Sequence, residues 1–208
     1  MTASTILTMA NGKGVDLLNV RAEDLDLFTL AEHLAKEKRF NGATPGTEYS
    51  VAQHLCIGCD AMMRDGATDL EAGYFLAHDF PEGLFKDDPT PKKRAIAHRI
   101  SERCGVTAEA VLGVLKAIDV EHEAAVHEAA GLPYPVPDGI ERLVKLYDRR
   151  MLVTEWRDLM RGIEFPVMRE YDGIAPLPDQ IKPWRWNLAF TEIGKRMARL
   201  FPKLRRAP

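Results

Sequence analysis

A chain of 208 residues, 46% hydrophobic and 28% charged, carries enough apolar material for one sizeable core. Its formal charge of −3 and pI near 6.1 provide no global basic field for a nucleic-acid backbone, and no apolar run reaches the roughly 18–20 residues of a membrane span. With three cysteines, an odd number in a chain large enough to fold without staples, and no basic-then-apolar signal segment, the expectation is a cytoplasmic single domain over 1–208 that acts on a small molecule, without nucleic-acid or membrane partners.

In chain order, Thr5–Met9 and Val15–Asn19 flank Asn11-Gly12, a tight-turn dipeptide, and predict a small hairpin within an extension over 1–22. Leu27, Leu30, Ala31 and Leu34 recur at helical spacing. The turn formers of Arg39–Thr47 predict a loop. Ser50-Val-Ala-Gln53 reads as a capping box opening a helix to about Arg64. His54 lies in its first turn, on a stripe with Val51, Leu55 and Met62, so the imidazole points inward.

A second box, Thr68-Asp-Leu-Glu71, opens the helix that carries Tyr74, Phe75 and Leu76 and ends on His78-Asp79. Pro81 and Gly83 stop it, and Glu82–Asp88 reads as a polar loop. Thr90-Pro91 starts a helix to about Arg103 with Gly105 as its stop, and Thr107 starts another to about Ala130, before Gly131. The proline-rich Leu132–Pro137 is a linker. Asp138-Gly-Ile-Glu141 resembles a capping box for a long helix to about Met160, on which Val144, Asp148, Met151, Leu152 and Glu155 share a face. The remaining 161–208 is a C-terminal extension with Trp184, Trp186 and a final amphipathic helix. The fold class is all-α, a helical bundle with a small N-terminal β-hairpin.

His54, His78, Asp79 and Asp148 thus fall at inward positions on three helices. Buried polar groups need partners, and spacing alone leaves two open: a hydrogen-bond network, or a divalent metal such as Mn, Fe, Co, Ni, Zn or Mg. Cys56-Ile-Gly-Cys59 has the spacing of a redox pair, but its helical setting favours core cysteines. His33, His98, His122 and His127 read as surface or rim residues, and Trp184 and Trp186 as packing for the tail. Lys92-Lys93-Arg94 at a helix start reads as a solvated cluster with weak attraction for phosphate.

Four segments, Tyr49-Ser-Val-Ala-Gln-His54, Ala77-His-Asp-Phe-Pro-Glu82, Asp87-Asp-Pro-Thr-Pro91 and Tyr147-Asp-Arg-Arg150, together resemble the HD-domain metal-dependent phosphohydrolases. The likeness is greatest to the branch of bacterial 5′-deoxynucleotidases and phage deoxyadenosine triphosphate triphosphohydrolases, and it spans roughly Leu17 to Met160. It implies one divalent metal ion held by His54, His78, Asp79 and Asp148. Glu82 is then expected to orient the attacking water, Asp87 to assist beside the reacting phosphate, and Arg39 to hold the nucleotide. The implied activity is hydrolysis of a nucleoside mono- or triphosphate by a homodimer. Two alternatives stand beside it: a catalytically silent nucleotide-binding or regulatory HD module, and a di-iron oxygenase drawing extra ligands from His98, His122 or His127.

Overall fold

A computed structural model describes residues 4–86, 88–160, 163 and 166–205. Strands β1 (Ile6–Thr8) and β2 (Gly14–Asp16) pair antiparallel, with Leu7 opposite Val15, so the Asn11-Gly12 turn forms the expected hairpin. The rest is mainly helical: α1 (Leu27–Lys36), α2 (Val51–Arg64), α3 (Asp69–Ala77), α4 (Glu82–Phe85), α5 (Thr90–Cys104), α6 (Ala108–Ala130), α7 (Asp138–Leu159), α8 (Trp186–Leu200) and α9 (Pro202–Arg205). Among the described residues, no helix is long and apolar enough to cross a membrane.

Local chemistry sets these boundaries. Asp26 accepts from the amides of Phe28 and Thr29 and so caps α1, satisfying donors that no helical carbonyl can reach. The Thr68/Glu71 box is complete. At α2 only half of the expected box forms. Ser50 accepts from the Gln53 amide, but the Gln53 side chain donates to the Lys182 carbonyl and accepts from the Trp184 amide. A predicted capping residue therefore ties the C-terminal segment to the core. At α7 no side-chain cap forms: Pro137 occupies the cap position and Glu141 pairs with Lys145 on the next turn. The predicted loop after Asp79 contains a single helical turn, α4, whose Gly83 lies so close to α1 that a Cβ there would stand 3.2 Å from Leu30.

Helix α2 runs through the centre, packed against α1, α3, α7 and α8. Leu55, Met62, Phe75, Leu76, Met151, Ile193 and Met197 are fully buried around it. At Gly58 it packs tightly against α3 and α7, where an added Cβ would lie 2.2 Å from the Phe75 ring and 3.1 Å from Met151. Alanine improves helix propensity by up to about 1 kcal/mol, whereas overpacking costs roughly 1–3 kcal/mol. Gly58→Ala is therefore expected to lower the urea midpoint, and an unchanged or raised midpoint would contradict this packing.

Cys56 and Cys59 are fully buried, as the helical reading requires, while Cys104 is exposed at the end of α5. Burial pushes both core thiols up, that of Cys59 to about 12, which suppresses the reactive thiolate. Alkylation of the native chain should label one thiol per chain, at Cys104, and all three after denaturation. Rapid native labelling of Cys56 or Cys59 would contradict this arrangement.

Candidate metal centre

Three helices converge on one polar cluster inside the apolar bundle. The first turn of α2 delivers His54, which is completely buried. His78 caps the C-terminus of α3 and Asp79 follows it. The middle of α7 supplies Asp148, whose side chain is 42% exposed and marks the open side of the cluster. One ligand atom from each of His54, His78 and Asp148 lies within 4.8 Å of the others, a grouping that can hold a metal ion. The Asp79 carboxylate borders it, 3.1 Å from His78 Nε2 and 3.6 Å from His54 Nε2.

The outward nitrogens of the two rings fix how they present themselves. His54 Nδ1 lies 2.7 Å from Glu155 Oε1, and His78 Nδ1 lies 2.7 Å from the Phe75 carbonyl oxygen. Both partners are acceptors, so each Nδ1 carries the proton and donates it. In the neutral ring, each Nε2 then directs a lone pair into the cluster. Among the described residues both Nε2 atoms are buried without a hydrogen-bond partner, although Asp148 Oδ1 stands 3.4 Å from that of His54 and 3.8 Å from that of His78. Two buried ring nitrogens converging beside carboxylates form a group that can hold a divalent cation, and in its place protonated rings would pair with those carboxylates.

The charges agree. Asp79, Asp148 and Glu155 contribute −3 and Arg39 contributes +1, so the group carries −2 and a divalent ion would neutralise it. When protons must play that part, both imidazoles bind them more tightly than usual. For His78, burial opposes the charge, but Asp79 and Asp148 outweigh it and lift the ring to about 9. For His54, burial and Arg39 oppose it, and Glu155 and Asp148 raise the ring above its ordinary value. Burial likewise works against the Asp148 carboxylate, yet the two rings hold it well below the usual range.

Arg39 sits differently from the expectation of a free substrate hook. The segment before α2 folds back through a bridge between Lys38 and Ser50. The next two residues, Phe40 and Asn41, take left-handed conformations with φ of 56° and 52°, a sharp turn that non-glycine residues rarely make. This places the guanidinium in the cluster, where Nε donates to Glu155 Oε2 at 3.2 Å and Nη1 to Asp79 Oδ2 at 3.3 Å. These two bonds engage Nε and one hydrogen of Nη1 and leave Nη2 outside both.

Glu82 begins α4 one turn after Asp79, its amide donating to the Asp79 carbonyl. It lines, with His78 and Asp79, a cavity of about 360 Å³. Asp87 lies outside the described residues. Lys93 reaches the far wall of the cavity but is paired with Asp119. Helix α6 closes that wall, and here the sequence reading needs correction: His122 and His127 are each 1% exposed, not rim residues. They lie among the buried Ala125, Val126 and Ala130, which their five-residue separation did not suggest. His122 Nε2 approaches the Leu17 carbonyl at 3.0 Å, and burial depresses His127 to about 4. Among the described residues, neither belongs to a second metal-ligating group.

Sequence reasoning placed Glu155 on the Asp148 face but gave it no partner. The structure gives it two, and its side chain is wholly buried.

No protein-family model matches the chain. The chain is similar to an uncharacterised protein of Rhodobacter capsulatus, 32% identical over 143 residues; the match covers 67% of this chain and 65% of that protein.

Proposed function

We propose that the chain is a metal-dependent phosphohydrolase of the HD-domain type that removes phosphate, or a longer phosphate group, from a (deoxy)nucleotide. The observation that carries this reading is the pair of buried, unpartnered Nε2 atoms converging beside Asp148. His54, His78 and Asp148 would hold one divalent ion, with Asp79 completing the set from the edge. Such an ion supplies a Lewis acid that lowers the pKa of water and offsets phosphoryl charge.

The remaining roles follow from position. Asp148, on the open side, leaves the cluster accessible, while fully buried His54 and the Phe75 ring beneath it keep water from the back. Glu82 orients the attacking water and accepts its proton, being the carboxylate that lines the cavity one turn beyond Asp79. The Nη2 of Arg39, outside the bonds to Glu155 and Asp79, contacts a phosphoryl oxygen, and Asp87, whose role rests on the resemblance alone, assists at the reacting end. The 360 Å³ cavity suits one nucleoside better than a polymer. Three free cysteines support a reducing, cytoplasmic setting. A homodimer would cover exposed apolar residues such as Ile96, Ile100 and Val114 on α5 and α6.

The test is a screen of metal-stripped protein with Mn, Co, Fe, Ni, Zn or Mg against nucleoside mono-, di- and triphosphates, with released phosphate measured. Metal-dependent release from at least one nucleotide is expected. Metal and nucleotide binding without release would favour the silent regulatory module, and neither binding nor release would contradict both.

A further inference from the structure

We infer that Glu155 and Arg39 form a positioning pair for the metal centre, so that Arg39 serves the ion before it serves any substrate. The inference rests on the metal reading above, but not on phosphate chemistry. Glu155 meets His54 at Nδ1, the ring edge away from the cluster, so it addresses the ligand rather than the ion. A carboxylate on that nitrogen fixes the tautomer, holds the ring plane and makes Nε2 more electron-rich.

Glu155 is itself held. Its second oxygen accepts from Arg39 Nε, and the same guanidinium reaches Asp79 from Nη1. One planar cation therefore sets the distance between the carboxylate behind His54 and the carboxylate bordering the cluster, residues delivered by α7 and by the end of α3. Lysine cannot reproduce that fork. A purely stabilising role explains the arrangement poorly. A buried ion pair of this kind is often replaceable by apolar packing without loss of stability, whereas here both carboxylates end on the imidazole–carboxylate cluster.

Through these contacts Arg39 and Glu155 act on the ligands rather than on the ion, and their loss should weaken the ion's hold even when no nucleotide is present. The experiment is calorimetric titration of the metal-stripped full-length chain with Mn(II) alone, for the native protein, Glu155→Gln and Arg39→Gln, with helical circular dichroism recorded for each. Glutamine keeps the shape of Glu155 and removes its charge. Both variants should remain helical and bind Mn(II) about 10–100-fold more weakly. The Co(II) absorption bands of both should shift, a signature that a residue important only for stability would not move in a folded chain.

Native-like Mn(II) affinity, within about twofold, in both variants would overturn the pairing and return Arg39 to a substrate-only role. So would an absence of Mn(II) binding by the native chain, which would remove the metal reading as well. Should Glu155→Gln fail to fold, Arg39→Gln decides by the same criterion. Weakened Mn(II) binding together with a native protein that releases no phosphate from any nucleotide would sustain this inference and reject the hydrolase.

Discussion

Asp148→Asn is expected to abolish phosphate release, by about a thousandfold or more, while leaving the helical fold in place. The exchange preserves volume and removes a charge rather than a packed apolar group. Asp148 is also the most solvent-exposed of the clustered side chains, so few core contacts are at stake. What is lost is the carboxylate whose Oδ1 alone lies within 3.8 Å of both Nε2 atoms, and with it the charge balance that suits a divalent ion. Loss of metal help at a phosphoryl group is worth several kcal/mol, and each 1.36 kcal/mol is about a factor of ten. Phosphate release with circular dichroism in parallel checks the result. A folded Asp148→Asn chain that retains more than a tenth of native turnover would contradict the assignment.

Phe75→Ala is expected to destabilise the chain by about 3–5 kcal/mol, the usual cost of emptying a buried aromatic site. Phe75 is fully buried on α3, and its ring lies against Gly58 of α2. The same ring stacks on His54, with centroids 5.8 Å apart, and leans on His78 at 4.8 Å, while its carbonyl accepts from His78 Nδ1. The residue is therefore both core and floor of the cluster. Urea denaturation should show the loss of stability, and Mn(II) affinity should fall in the variant under folding conditions. A loss below about 1 kcal/mol would mean that the ring is not the keystone of the α2–α3 contact.

How far the sequence foretold this arrangement depends on the distance over which each signal acts. Helix α6 was legible to the residue, because Thr107 caps its start and Gly131, with φ of 79°, ends it; caps act within one turn. Helix α4 was missed for the same local reason. Pro81 and Gly83 read as breakers, yet proline is harmless at a helix start and Gly83 serves the close approach to Leu30. His54 could be placed inward from its stripe; Asp148, set on a largely apolar face, stands at the open side of the cluster, and the two come together with His78.

The Glu155–Arg39 pair was not legible, because its members are 116 positions apart and periodicity reports a face, not what meets it. Glu155 was visible as a carboxylate on a mostly apolar stripe. Its charge partner came from a segment whose turn formers predict a loop but not the left-handed course of Phe40 and Asn41. The burial of His122 and His127 escaped because the two are five positions apart and do not share a helix face well, although the 122–125–126–130 spacing was there to be read.

The most direct test of a one-metal hydrolytic centre is to titrate metal-stripped protein with Mn(II) while following phosphate release from the best nucleotide substrate. Release should be absent at the start, rise with added ion and level off at one ion per chain. Release that persists after stripping, a plateau at two ions, or none at any occupancy across the nucleotide panel would contradict the account.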